Sequence, residues 1–181
     1  MPEKTNPLLI QHLTPKNFLS FGPDNAGIAL QALNLFIGPN GSGKSNLIEA
    51  INLMRSAPKE FRDVIRKGGG VSEWIWKGGA KTPAAIDWVV NAPKGQKPLR
   101  HLVAFQAVAQ AFSLDDEFVE ESEPRNAHEQ DVFFYYRYRN GQPVVNTINE
   151  GSRSLAKETI EPDRSILAQR RDPETYPELA W

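Results

Sequence analysis

The 181-residue chain sets 21 Lys and Arg against 22 Asp and Glu, for a formal net charge of -1, and it contains no cysteine. That balance leaves no global basic field for nucleic acid, and the lack of thiols excludes a disulfide framework and thiolate metal sites. No apolar run approaches the roughly 18 residues of a membrane span, and the opening MPEKTNPLLIQ lacks a secretory apolar region, so a cytoplasmic protein with no membrane partner is expected.

In chain order, Leu8 to Phe21 mixes apolar and polar residues as an edge strand does, with Pro15 marking a break or bulge. Gly22, Pro23, Asp24 and Gly27 supply turn chemistry. IALQALNLFIG then reads as two short strands. The second, Leu33 to Ile37, is nearly all apolar, as a strand buried on both faces should be. Leu47, Ile48, Ile51 and Met54 recur at helical spacing to about Ala57, where Pro58 blocks continuation. KEFRDVIRK predicts a second short helix, ended by Gly68, Gly69 and Gly70.

From there AAIDWVV, RHLVAFQAVAQAF, EFVEE, VFFYYRYR and PVVNTI are rich in β-branched and aromatic residues. Asn140-Gly141 signals a two-residue hairpin, and the second half of DDEFVEESEPRNAHEQD reads as an exposed acidic loop. Strict βαβ alternation fails after Ala57, which argues for an α/β fold with α+β character over a plain doubly wound one.

The chemistry is concentrated between the apolar run and the first helix. Gly38, Pro39, Asn40, Gly41, Ser42, Gly43, Lys44 and Ser45 spell G-x-x-x-x-G-K-[ST], the Walker A turn, with Asn46 following. Glycines let backbone N–H groups approach phosphate oxygens, and the start of the helix adds unpaired N–H groups and the positive end of its dipole. Lys44 is expected at the β- and γ-phosphates, and Ser45 at a magnesium ion that bridges them. A nucleoside triphosphate, ATP, with Mg2+ is the expected ligand pair. A GTPase would place D-x-x-G after this turn and add N-K-x-D. The only D-x-x-G, Asp24 to Gly27, precedes the turn, and N-K-x-D does not occur. A small P-loop kinase of nucleotides or metabolites would alternate strands and helices, which the β-rich middle does not.

LTPKNFLSF followed by IALQALNLFIGPNGSGKSNLIEAINLM is similar to the amino-terminal end of the RecF/SMC-like branch of ABC-type ATPases. FRDVIRKGGGVSEWIWKGG and SILAQRRDPETYPEL resemble, more loosely, the bacterial AAA-domain members of that branch. The resemblance implies an ATPase head in which a mixed sheet carrying the P-loop and its helix packs against an antiparallel β-subdomain. The corresponding segments are 1–67 (strands, Walker A and helix), 68–160 (β-rich subdomain) and 161–181 (start of a Q-loop and helical segment).

The resemblance also implies that Lys16 and Asn17 lie near the nucleotide and that Gln169 touches magnesium or the attacking water. The signature motif, Walker B strand and switch histidine belong to a carboxyl-terminal half, so the chain is expected to be the front half of a longer head. Such a head would hydrolyse ATP only when complete and dimerised, as a homodimer sandwiching nucleotide and acting on DNA or an effector protein. DNA repair, chromosome maintenance and antiviral defence are the roles implied. The alternatives carried forward are the small kinase and a non-hydrolysing, ATP-regulated binding module.

Other residues carry blander expectations. Asp115, Asp116 and Glu117 in AFSLDDE imitate a Walker B end but read as a solvated strand end. Trp74 and Trp76 alternate as on a strand and are expected in the core. Lys59, Arg62 and Arg66 share a helix face, Arg137 and Arg139 the wet side of a hairpin, and His101 and His128 stand isolated, without metal-ligand spacing.

Overall fold

The structure, a computed structural model, describes residues 9–79, 82–91, 97–126, 131–139, 142–147, 151–154, 160–170 and 179. Its elements run β1 (Ile10–Lys16), β2 (Ile28–Ala29), α1 (Lys44–Ser56), α2 (Phe61–Lys67), α3 (Val71–Trp74), β3 (Ala84–Val90), β4 (Leu99–Val108), β5 (Ala111–Glu121), β6 (Phe134–Arg139), β7 (Gln142–Thr147), β8 (Gly151–Ser154) and α4 (Ile166–Gln169). Among the described residues the strands form one eight-stranded sheet in the order β2-β1-β3-β4-β5-β6-β7-β8, with every pairing antiparallel. The α/β class read from the sequence is the class observed, and the sheet is continuous from β1 through β8.

Side-chain alternation gives the sheet two different faces. One presents Leu13, Ile86, Val103 and Phe105, and α1 packs on it through Leu47, Ala50, Leu53 and Met54. Phe61 and Ile65 of α2 and Trp74 of α3 close the same core. A second cluster, including Val90, Val119, Tyr136 and Ile166, lies farther across the sheet. The opposite face carries an ion ladder: Asp87 to Arg100 at 2.6 Å, Arg100 to Glu120 at 3.0 Å and Glu120 to Arg137 at 3.2 Å. The Arg100 and Arg137 guanidiniums lie 5.0 and 4.4 Å from the Phe118 and Phe134 ring centres. Arg137 of the β6–β7 hairpin, though exposed, is thus held by its neighbours.

Several local expectations are corrected. β1 is flanked on both sides, by β2 and β3, and its register shift falls between Ile10 and His12, while Pro15 pairs regularly with Ile86. RHLVAFQAVAQAF splits into β4 and β5 at Ala109 and Gln110, which take positive φ (49° and 66°) without the Gly or Asn that usually marks such a turn. Trp74 sits in a helical turn, not a strand. It is buried and donates Nε1–H to the Ile65 carbonyl at 3.2 Å, while Trp76 packs against Gly22. Asn140 and Gly141 lie outside the described residues, but the pair that flanks them, Arg139 and Gln142, is in register.

The largest correction concerns Leu33 to Ile37. These residues form no strand, and Leu33, Leu35 and Ile37 are 88%, 82% and 86% exposed. A strand buried on both faces needs neighbours on both edges, and no described segment pairs with this one.

Candidate nucleotide site

The glycine turn enters α1 as its spacing predicts. Gly43 caps the helix at φ 90°, a left-handed conformation that a side chain resists, and Leu47 N–H closes the first turn on the Gly43 carbonyl at 3.0 Å. No side chain caps α1, and its first turn holds no acidic residue, so this end is open to an anion. Lys44 folds back over the loop, donating from Nζ to the carbonyls of Gly38 (2.7 Å) and Pro39 (2.8 Å), with Ser42 Oγ at 3.2 Å. Ser45 is exposed in the first helical turn.

This donor set fits a polyphosphate: backbone N–H groups, an ammonium able to leave neutral carbonyls for charged oxygens, and no carboxylate to repel the ligand. Ser45 would contribute a hydroxyl to a magnesium ion. Among the described residues no group of three or more His, Asp or Glu side chains could hold a metal, so Ser45 would hold the ion together with phosphate oxygens and water.

The structure treats the remaining candidates differently. Lys16 is exposed at the end of β1. Asn17 is 7% exposed and donates Nδ2–H to the Pro83 carbonyl at 3.3 Å, leaving Oδ1 buried with no hydrogen-bond partner. Gln169 accepts from Glu161 N–H at 2.9 Å and donates to the carbonyls of Glu161 (3.1 Å) and Arg164 (2.7 Å), so its amide closes the turn before α4. Leu167 shares an apolar pocket with Met54 and Arg55 at the far end of α1 from Lys44. The structure therefore does not bring Gln169 together with the glycine turn.

Two features escaped the sequence reading. Ser20, in NFLSF, accepts a hydrogen bond from Asn46 Nδ2 at 2.8 Å and so joins the turn after β1 to the start of α1. The second is a buried polar chain. Trp88 Nε1 can only donate, so it donates to His101 Nδ1 (3.3 Å), which leaves His101 Nε2–H to donate to Glu117 Oε1 (3.1 Å). Ser165 Oγ and Ile166 N–H also donate to Glu117, at 2.5 and 2.9 Å. Glu117 is 1% exposed, hence neither a solvated strand end nor open to a metal, and His101 is not isolated. Asp115 accepts from Gln106 Nε2 at 2.6 Å. His128 lies outside the described residues. No local pattern pointed to Glu117, because its partners come from the neighbouring strand β4, 16 residues back, and from the start of α4, 48 residues on.

A solved structure described as "Structural biochemistry of ATP-driven dimerization and DNA stimulated activation of SMC ATPases" is 19% identical to this chain. The likeness covers 62% of this chain and 69% of that one, with a TM-score of 0.49. The family model for "AAA domain, putative AbiEii toxin, Type IV TA system" matches residues 33–172, from the apolar run before the glycine turn to just beyond α4. That span holds every element from α1 to α4 and makes up most of the chain, so the protein belongs to this family of AAA-domain P-loop ATPases.

Proposed function

We propose that this chain is the nucleotide-binding front half of an ATPase head of the RecF/SMC-like kind, with ATP and Mg2+ bound at Gly38 to Asn46. The observation that carries the proposal is an uncapped α1 entered through a Walker A turn, whose lysine rests on neutral carbonyls. The segments 1–67, 68–160 and 161–181 are the corresponding parts of the head. Lys16 and Asn17 border the site; Gln169, held by the Glu161 and Arg164 backbone, would join it only through a rearrangement of the α4 region in the complete head. The exposed Leu33, Leu35 and Ile37 support the reading that further strands cover this run in the complete head.

Hydrolysis then requires a catalytic carboxylate from that remaining half and a second head across the nucleotide. The assembled homodimer would act in the cytoplasm on DNA or an effector protein, in DNA repair or maintenance or in phage defence. Among the described residues, no helix is long and apolar enough to cross a membrane.

The test is thermal unfolding with and without Mg-ATP, beside Lys44→Ala, with phosphate release followed in the same samples. Ligand at 100 times its Kd adds about 2.7 kcal/mol, an upward Tm shift of roughly 5–10 °C for a chain of this size. The expected result is a shift that Lys44→Ala abolishes, with negligible phosphate release. Lack of any shift would overturn the nucleotide site. Turnover by the chain alone would overturn the missing-carboxylate reading and return attention to Asp115 and Asp116.

A further inference from the structure

The turn between β1 and β2 is built more firmly than its surface position requires. Phe18 and Phe21 exchange backbone hydrogen bonds of 3.0 and 2.8 Å. The Phe18 ring is fully buried, with ring centres 5.8 Å from Trp74 and 6.4 Å from Phe105. Leu19 N–H donates to the Trp74 carbonyl at 2.9 Å and Trp76 N–H to the Asn17 carbonyl at 2.8 Å, so both limbs of the turn are pinned to the α3 region. Asn17 and Leu19 take φ of 48° and 49°. Such conformations are strained for residues other than glycine and persist only where the surroundings over-determine them.

This rigid turn presents one exposed hydroxyl, Ser20 Oγ, to the start of α1. The hydroxyl meets the glycine turn twice. It accepts from Asn46 Nδ2 at 2.8 Å, and it would lie 2.9 Å from a Cβ placed on Gly43, with the Phe21 ring 3.6 Å away. Residues 31–42, by contrast, are exposed throughout. The first turn of α1 is therefore tied to the sheet by buried Leu47 and to the β1 turn by Ser20, while the arm that leads into it supplies little.

We infer that Ser20 is a positioning residue for the glycine turn. It acts through Asn46 and against Gly43, and it holds the first turn of α1 at a fixed approach to the β1 turn. Glycine is needed at 43 both for its φ of 90° and for the room the Ser20 hydroxyl occupies. The consequence for ligand binding rests on the nucleotide reading above; the positioning itself does not.

The experiment compares wild type, Ser20→Ala, Ser20→Thr, Asn46→Ala and the Ser20→Ala/Asn46→Ala double variant. The readouts are the Asn46 side-chain amide resonance, hydrogen exchange of the 43–46 amides without ligand, and the Kd for Mg-ATP. Ser20→Ala is expected to move the Asn46 resonance, speed exchange of the first turn and weaken Mg-ATP by about two- to tenfold, the range of one neutral hydrogen bond. Ser20→Thr should restore all three, and the double variant should bind no worse than the weaker single. An unmoved Asn46 resonance, or fully additive losses, would overturn the inference. If wild type shows no response to Mg-ATP, the nucleotide reading falls, and the resonance and exchange data still decide the role of Ser20. An exposed serine is a safe site for alanine, so loss of fold is not expected to obscure the result.

Discussion

The glycine turn and the Glu117 chain are both built from polar groups, and they treat those groups in opposite ways. Around the turn, residues 31–42 are exposed, α1 starts without a side-chain cap, and the one cation is parked on two neutral carbonyls. Around Glu117 both carboxylate oxygens are taken by donors the chain itself provides, from His101, Ser165 and Ile166. A polar group satisfied inside the fold contributes to structure, because losing its partner costs the full desolvation of what is left. A set of donors left open at the surface costs little and is ready for a charged ligand. The motif-bearing region is thus open where the Glu117 cluster is closed, and the closed cluster carries no motif.

The sharpest way to break this contrast is to remove one side chain from each region. Glu117→Ala leaves His101 Nε2–H, the Ser165 hydroxyl and Ile166 N–H without an acceptor in a site that is 1% exposed. A loss of about 3–5 kcal/mol is expected, a fall in Tm of roughly 6–20 °C. Lys44→Ala gives up only surface contacts and should cost within about 0.5 kcal/mol in the absence of ligand. Thermal unfolding of the two variants side by side decides the matter, and equal losses would remove the distinction.

The same contrast explains what could be read from the sequence. The glycine turn was legible because its signal is local: eight consecutive residues fix both the backbone and the chemistry. Helix α1 showed its period in Leu47 and Met54, although Ile48, on the same pattern, faces water. The strands from β3 to β7 declared themselves through β-branched and aromatic residues. Leu33 to Ile37 misled because an apolar run reports a strand's capacity for burial, whereas the strand itself depends on partners elsewhere. The β4–β5 turn at Ala109 and Gln110 carries no glycine and gave no signal. Glu117 lies 16 residues from His101 and 48 from Ser165, and its contact with Ser165 depends on where α4 packs, which no local pattern encodes. Ser20 stands within LTPKNFLSF, but its partner Asn46 is 26 residues away.

A subtler probe of the buried region is alkaline pH. Burial first, and then the neighbouring Glu117 carboxylate, hold the Tyr136 hydroxyl well above its ordinary value of 10.0. Below that value both folded and unfolded chains keep the proton, and the stabilising difference is fully present. Above it the unfolded chain ionises while the folded chain does not, so stability falls as pH rises, by about 1.4 kcal/mol per pH unit for this one group. Denaturant unfolding from pH 9 to 11 should show a shallower decline in Tyr136→Phe than in wild type. Identical slopes would mean that Tyr136 reaches solvent and that the Glu117 region is looser than its burial implies.

The smallest expected effect tests the open side of the comparison. Leu35 is 82% exposed, so Leu35→Lys removes almost no buried area from this chain and should change Tm by no more than a degree or two. If the run is covered by further strands in the complete head, the same change there places a charge where an apolar side chain packs, and it costs several kcal/mol. The informative measurement is therefore the pair: unfolding of Leu35→Lys in this chain, and in a chain extended through the remaining half of the head. A large loss in the extended protein alone would show that the apolar character of Leu33 to Ile37 serves a contact absent from the described residues. A large loss already in this chain would show that the run packs against its own sheet, and the exposed-arm side of the comparison would fail.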